Sequence, residues 1–167
     1  MPDKRGVAKP RSGCPVSASL EVFGDRWSLL VVRDLMVRGY RTFKEFFESG
    51  EGIASNVLAD RLRRLEKSGI IRAEREKNDN RRINYRLTEK GIDLAPVMLD
   101  LLIWGARHEQ TDASCSWLVR MNKNREEILH EVRQRWEHDD PTPLIPQFDS
   151  DVVRALSRNR HVPKERS

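Results

Sequence analysis

The spacing of apolar residues predicts four short helices in the first seventy residues of the chain. Apolar side chains recur every three or four positions, and glycines or helix-capping residues separate the segments that carry them. We expect Asp25 to be the N-cap of the second helix and Ser55 that of the fourth. The predicted helices run from Pro15 to Gly24, from Asp25 to Gly39, from Thr42 to the Gly50 and Gly52 pair, and from Ser55 to Gly69.

The fourth predicted helix has two chemically different faces. Val57, Leu58, Leu62 and Leu65 fall on one apolar stripe, which indicates a side packed against a core. The opposite side is polar and mostly basic, and it comprises Asn56, Asp60, Arg61, Arg63, Arg64 and Lys67.

After Gly69 the period changes from helical to alternating. Residues 71–76 and 83–87 alternate between apolar and polar positions, as half-buried strands do. The residues between them, Asn78, Asp79 and Asn80, favour a turn, and Arg81 and Arg82 follow at its end. The pattern predicts a β-hairpin with a charged tip.

Helical spacing returns beyond the hairpin. Thr88 is the expected N-cap of a fifth helix that reaches about Arg107, with a kink at Pro96 because proline lacks a backbone donor. A sixth helix is predicted from about Ser114 to Trp136, followed by an extended segment over Asp139–Pro146. The predicted fold class is therefore mainly α with a small β-hairpin, a winged helix-turn-helix with extra C-terminal helices.

This order of elements divides the chain into four parts. We expect a flexible basic arm at 1–13, a winged helix-turn-helix DNA-binding domain at 14–110, a C-terminal helical extension at 111–148 and a poorly ordered tail at 149–167. Hydrophobic residues make up 38% of the chain, which is enough for one compact core.

The positive charge is concentrated where the fourth helix and the hairpin are predicted. Residues 53–90 carry a net charge of +5, as much as the whole chain. A local excess of this kind attracts nucleic-acid phosphates, although a solvated basic surface would give the same count. A helix that fits the major groove and a hairpin beside it favour the double-stranded DNA interpretation.

Each candidate contact has a chemical role in that interpretation. Ser55 and Asn56 begin the reading helix, at about 55–67, and suit base edges or phosphates. Arg61 and Arg64 lie about one turn apart and suit guanine edges or phosphates, with Asp60 on the same side. Arg81 and Arg82, in a wing at about 71–87, suit a narrow minor groove or a phosphate strand.

Two alternatives remain open for these residues. The arginines can form a solvated helix face paired with acidic neighbours, such as Asp60 with Arg64. A winged-helix module can also serve as a protein–protein interaction module, in which case it would bind an acidic partner without sequence-specific DNA binding.

Other function classes find no support in the sequence. The four histidines and the two cysteines, Cys14 and Cys115, show no metal-ligand spacing, and no glycine-rich phosphate motif is present. We predict no catalytic activity, no cofactor and no metal. No apolar run is long enough to cross a bilayer, and the first residues lack the apolar stretch of a signal peptide, so a cytoplasmic location without membrane contact is expected.

Three segments together resemble the HxlR-type winged helix-turn-helix transcriptional regulators. They are CPVSASLEVFGDRW, EGIASNVLADRLRRLEKSGIIRAE and NYRLTEKGIDLAPVMLDLLIWG, within about residues 14–107. The resemblance implies a bacterial transcriptional regulator that binds DNA as a homodimer assembled through terminal helices. Many members end near residue 110, so the extension inherits no function from the resemblance.

Homodimerisation also agrees with a surplus of apolar residues on the first helix, the fifth helix and the extension. Together these residues exceed what a winged core needs to bury, and a symmetric pair would present two reading helices to DNA. The predicted interface residues are Leu20, Phe23, Leu101, Leu102, Trp104 and Trp117.

Regulation is left open by the sequence. In some members of the family that the chain resembles, a cysteine at the position of Cys14 senses oxidants or electrophiles. An inert thiol is the alternative, because reactivity requires a thiolate and exposure that a sequence does not reveal. A small-molecule effector is a further open possibility.

Overall fold

The computed structural model describes residues 12–76, 79–111 and 124–144, and only the backbone of 79–81. Its architecture is mainly helical with one antiparallel two-stranded hairpin, which confirms the predicted fold class. The helices are α1 Pro15–Phe23, α2 Arg26–Arg33, α3 Phe43–Phe47, α4 Ser55–Lys67, α5 Glu89–Ile92, α6 Ala95–His108 and α7 Arg125–Glu137, and the strands are β1 Ile71–Glu76 and β2 Asp79–Leu87.

The start of α2 follows the predicted cap. The Asp25 carboxylate accepts hydrogen bonds from the backbone N–H groups of Trp27, at 2.9 Å, and Ser28, at 3.0 Å. After Arg33 the helix continues as a π-helical turn, Asp34–Arg38, which ends at Gly39 with a φ of 72°. A Cβ atom at Gly39 would also collide with the carbonyl oxygen of Pro141, so this glycine serves both the turn and the close approach of the C-terminal segment.

Two predicted helix boundaries are wrong. The N-cap of α4 is Ala54, which makes no side-chain capping hydrogen bond, and Ser55 is already helical. The predicted kinked helix from Thr88 to Arg107 is two helices. The Thr88 hydroxyl does accept the Gly91 N–H at 3.1 Å, but α5 ends at Ile92, and Pro96 lies in the first turn of α6, where its missing N–H costs nothing.

The hairpin is packed on one side over the part nearest the helices. Ile71 and Leu87 pair in the ladder and are both buried, and Tyr85 is partly buried against the core. Ala73 and Ile83 are exposed. The alternation that predicts half-buried strands therefore holds for Ile71, Tyr85 and Leu87 and fails at Ala73 and Ile83.

The hairpin also joins the segment that precedes α3. The Tyr85 N–H donates to the Arg41 carbonyl at 2.7 Å, and Thr42 forms an isolated antiparallel bridge with Asn84. The rings of Phe46 and Tyr85 lie 6.0 Å apart. These contacts fix the wing against the helical part of the domain.

One main core lies between α2 with its π-helical turn, α3, α4, the base of the hairpin, α5 and α6. It excludes water from aliphatic and aromatic side chains contributed by each of these elements. Its buried residues include Val32, Leu35, Phe46, Leu58, Leu62, Leu65, Ile70, Ile71, Leu87, Ile92 and Met98.

The described part of the extension packs on its own chain. The Trp136 indole N–H donates to the Leu87 carbonyl at 2.8 Å, Val132 is buried, and the Leu144 N–H donates to the Val37 carbonyl at 2.8 Å. The helix predicted from Ser114 to Trp136 is interrupted at Asn124, which has non-helical angles, and α7 begins at Arg125. Residues 114–123 of that prediction lie outside the described part of the chain. Trp136 is therefore part of the domain's own packing.

Several predictions lie outside the described residues. They concern residues 1–11 of the basic arm, residues 112–123 with Cys115 and Trp117, and the segment from residue 145 to the end of the tail.

Candidate nucleic-acid interface

Helix α4 is held by its apolar stripe. Leu58, Leu62 and Leu65 are no more than 2% exposed and pack into the main core, as the sequence predicts. Side chains on the opposite face of a helix must then point outward. The fold thus presents one defined face of α4 to solvent.

That outward face is polar and basic. The side chains of Arg63 and Arg64 are 73% and 66% exposed. Ser55, Asn56 and Lys67 are exposed as well. Because Ala54 provides no capping side chain, the first N–H groups of α4 keep their capacity to bind an anion.

Asp60 lies among the arginines of α4. Its carboxylate is 2.9 Å from Arg64 Nε, 3.5 Å from Arg63 Nη1 and 3.7 Å from Arg61 Nη1. The predicted pairing of Asp60 with Arg64 is therefore present. Exposed ion pairs of this kind are worth only about 0–1 kcal/mol, so they leave Arg64 able to exchange the carboxylate for a phosphate or a base.

Arg61 has a different environment from Arg64. Its Nε lies 3.3 Å from the Asp25 carboxylate, and its side chain is only 20% exposed. Although partial burial alone would raise the pKa of Asp25, hydrogen bonds from Ser28 and the charge of Arg61 lower it. Arg61 thus connects α4 to the start of α2. The sequence had instead indicated that Arg61 belongs to the outward face of α4.

A buried ion network, which the sequence analysis missed, holds the loop before α4. Arg33 Nη1 lies 2.8 Å from Glu51, and both Arg33 and Arg38 contact Asp34, at 2.7 and 3.2 Å. Arg38 also donates to the Ser49 carbonyl at 3.1 Å. Burial alone would lower the pKa of Arg33, but the charges of Asp34 and Glu51 outweigh it and raise that pKa.

The i,i+4 spacing of Asp34 and Arg38 was the available sequence signal for this network. Glu51, the partner of Arg33 in this network, lies in a different segment of the chain, and sequence spacing alone does not connect the two residues.

The wing carries a second basic group. The Arg82 side chain is 61% exposed, and its Nε lies 3.4 Å from Glu76. Arg81 belongs to β2, but its side chain is outside the described part of the chain. The ladder is irregular between Arg75 and Glu76, because Ile83 pairs with the first and Asp79 with the second. This irregularity lies next to Arg82, at the end of the wing.

Apolar side chains are exposed on two other helices. On α1, Val16 and Leu20 are exposed and no residue is fully buried. On α6, Val97, Leu101 and Trp104 are exposed, and their spacing places them on one face. We call these five residues the apolar face.

Two residues predicted for the dimer interface have other contacts. Phe23 and Leu102 are partly buried and pack against the protein's own core. They are therefore less available to a second subunit than Leu20, Leu101 and Trp104.

Cys14 is exposed and free at the N-terminus of α1. It occupies the N-cap position, and its backbone N–H donates to the Ser12 hydroxyl at 3.0 Å. Exposure meets one of the two requirements for a reactive thiol, the other being a lowered thiol pKa.

Within the described ranges, no three His, Cys, Asp or Glu residues are grouped so as to hold a metal ion. None of the helices in these ranges has the length and hydropathy of a membrane span.

Comparison with known proteins places this architecture among bacterial regulators. The HxlR-like helix-turn-helix family model matches residues 22–113. The HTH-type transcriptional regulator YybR of Bacillus subtilis (strain 168) is 32% identical over 105 residues, which span 63% of this chain and 83% of that protein.

Two solved structures resemble the fold. PA1607 is 39% identical with a TM-score of 0.57, over 62% of this chain and 72% of that one. The redox regulator HypR in its oxidised form is 31% identical with a TM-score of 0.53, over 59% of this chain and 100% of that one. The family model ends at residue 113, so it does not match the rest of the C-terminal extension.

Proposed function

Because the chain belongs to the HxlR-like helix-turn-helix family, a family of DNA-binding transcriptional regulators, we propose that it is a homodimeric regulator that reads a specific double-stranded DNA sequence. In this proposal α4 enters the major groove, and the wing contacts the adjacent groove or the backbone. A bacterial chromosome lies in the cytoplasm, so we expect the protein to act there, as a regulator and not as an enzyme.

The two-sided character of α4 is the observation that carries the proposal. Its leucines are buried, while Ser55, Asn56 and Arg64 are exposed on the other side. An asparagine suits adenine and an arginine suits guanine in the major groove. The less exposed Arg61 is better suited to orient α4, or to contact a phosphate near the start of α2, than to read a base.

The apolar face supports the homodimer. Leu20, Leu101 and Trp104 are 59%, 44% and 56% exposed, which is costly in water unless a partner covers them. A two-fold pair joined there would place two copies of α4 on the same side of DNA, about 34–36 Å apart for successive major grooves.

Footprinting on the DNA that flanks the protein's own gene tests the proposal. We expect a protected site with two related halves, and an affinity that falls steeply as salt increases. A scrambled duplex of equal length and base composition is the control, and it should bind at least ~1000-fold more weakly at physiological salt.

Equal binding to the site and to the scrambled duplex would contradict sequence-specific reading. Absence of DNA binding would instead favour the alternative, a winged-helix module for an acidic protein partner.

We also propose Cys14 as a redox switch, with an inert thiol as the competing interpretation. The support is its exposure at the start of α1, beside the proposed dimer interface, and the likeness to the redox regulator HypR. DNA affinity should change with diamide and recover with reductant in the wild type, but not in Cys14→Ser. Equal affinities under all conditions would leave Cys14 without a sensing role.

A further inference from the structure

A cavity of about 330 Å³ lies where the extension meets the winged core. Its walls come from four parts of the fold: the π-helical turn and the segment after it, the strands of the wing, the end of α5, and α7 with residues 139–142. This volume is at the lower end of the range for small-molecule sites. Since part of its wall is the extension, the cavity exists only because the extension packs on the core.

The lining combines apolar side chains with charged side chains of both signs. Leu35, Met36, Val132 and Trp136 supply an apolar surface. The basic members are Arg41, Arg72, Arg86 and Arg135, and the acidic members are Glu137, Asp139 and Asp140. An apolar surface with a few convergent polar groups is typical of a site for a small organic molecule.

Among the described residues, Arg41 differs from Arg72 and Arg86, which both pair with the Glu74 carboxylate. The Nη1 of Arg41 donates to the carbonyl oxygens of Leu35 and Tyr40, both at 2.9 Å. Among the described residues, no carboxylate lies within ion-pair distance of its guanidinium. Burial, which is the largest cause, and the nearby charge of Arg86 lower the pKa of Arg41, although the charges of Glu45 and Asp140 act in the opposite direction.

A carboxylate of the protein itself already occupies one side of the cavity. Asp139 contacts Arg86 by an ion pair, and Arg86 Nε also lies 2.9 Å from the Glu74 carboxylate. The φ of Asp139, 56°, is unusual for a residue other than glycine. The Asp139 side chain remains 47% exposed, so this contact can open toward solvent. An external anion that binds Arg86 would therefore compete with this internal carboxylate.

We propose that this cavity binds a small organic carboxylate with an apolar body. The carboxylate pairs with Arg41 and Arg86, in competition with Asp139, and the apolar body lies against Met36 and Trp136. Because Arg86 belongs to β2, the bound molecule also contacts the wing, and we expect it to change DNA affinity. That last step rests on the proposed function, whereas binding itself does not.

Calorimetric titration of the full-length protein, without DNA, tests the binding. The probes are 4-phenylbutyrate and octanoate, each compared with its neutral amide. We expect saturable one-to-one binding of at least one acid with a Kd below about 1 mM, and at least tenfold weaker binding of its amide. The Trp136 indole signal in an NMR spectrum should shift with the same saturation.

Two substitutions give opposite expected results. Arg41→Gln should weaken binding of the acid about tenfold or more and leave the amide unchanged. Asp139→Asn should tighten binding of the acid about threefold or more, because it removes the competitor while asparagine tolerates the same backbone. Arg75→Gln is the control, since it removes the same charge from an exposed position in β1 that does not line the cavity.

Weak, unsaturable binding of both acids, or equal affinity for acid and amide, would overturn the proposal. If Arg41→Gln fails to fold, as circular dichroism would reveal, Asp139→Asn decides: unchanged or weaker binding of the acid excludes the competition. Acid binding that leaves DNA affinity unchanged would contradict only the coupling to the wing, and it would be distinguishable from a failure of DNA binding itself.

Discussion

Helices α4 and α6 are similar in length and differ in what they show to solvent. They have 13 and 14 residues, and each buries one apolar side in the same domain. The outward side of α4 carries Asn56, Arg63 and Arg64, whereas that of α6 carries Leu101 and Trp104. The two helices thus differ in their solvent-facing residues, which do not pack into the core.

Solvent-facing residues that do not pack into the core indicate what a surface binds. A basic polar face suits phosphates and base edges, since both are hydrated when free and are bound by hydrogen bonds. An exposed apolar face suits another protein surface, because covering it releases water. Comparing the two helices thus separates the proposed DNA surface from the proposed dimer surface within one domain.

The largest effect is expected when residues of the apolar face on α6 are replaced by charged ones. The double substitution Leu101→Glu with Trp104→Glu should weaken self-association more than ~100-fold, because about 1.5–3 kcal/mol per buried side chain is lost twice in a symmetric dimer. Sedimentation across a concentration series measures this. Gln134→Glu, an exposed position on α7, should leave the dimer intact. A wild type that stays monomeric at micromolar concentration would contradict the dimer.

The outward face of α4 should affect DNA recognition without affecting the fold. Asn56→Ala and Arg64→Ala should each reduce discrimination at particular base pairs by about 1–3 kcal/mol. Competition binding with singly substituted operators measures this. Arg125→Ala removes an equal charge from α7 and should leave base preference unchanged. If both α4 variants keep the wild-type preference at every base pair, α4 is not the reading helix.

The contact of Arg61 with Asp25 should affect stability more than recognition. Asp25→Ala removes an N-cap and this ion pair, and should cost about 0.5–2 kcal/mol of unfolding free energy at neutral pH. Urea denaturation of wild type and variant measures the difference. Arg63→Ala, on the exposed side of α4, is the control, and it should change the free energy of unfolding by no more than about 0.5 kcal/mol.

The effect of Asp25 should also depend on pH with a known sign. Folding lowers the pKa of Asp25 below its ordinary value of 3.8. The stabilisation is therefore complete well above pH 3.8 and is lost as the pH falls through the lowered folded value. The gap between wild type and Asp25→Ala should shrink in acid, and a gap that grows there would contradict this assignment.

The smallest effect is expected in the wing. Arg82→Ala should weaken binding to all duplex sequences alike and reduce the slope of log affinity against log salt by about one unit, if it contacts one phosphate. Binding measured at several salt concentrations gives the slope. Arg125→Ala again serves as the control. A change in base preference without a change in slope would instead place Arg82 in a groove.

Local signals predicted much of the first ninety residues. The Asp25 cap, the end of the π-helical turn at Gly39, the stripe of leucines in α4 and the hairpin all depend on neighbours within a few positions. Short-range capping, steric and periodicity rules operate on that scale, so the sequence alone expresses them.

Long-range contacts account for the errors. Arg61 was grouped with the outward arginines because its spacing allowed it, but its partner Asp25 lies 36 positions earlier in the chain. Gly91 of α5 lies against the carbonyl of Ile70, 21 positions earlier, and its lack of a side chain allows this approach. Neither approach is encoded in local spacing.

The sequence by itself determined the elements from α1 to the hairpin, the winged helix-turn-helix order and the basic character of α4 and the wing. These features follow from periodicity, caps and charge, which are local properties of the chain. Only the tertiary structure decided that Arg61 faces Asp25, that Trp136 and Val132 cover the protein's own core, and that a cavity remains beneath the extension. The physical reason is that packing brings together residues that lie far apart in the sequence. Burial in the folded protein, and not spacing along the chain, determines which charged groups form ion pairs.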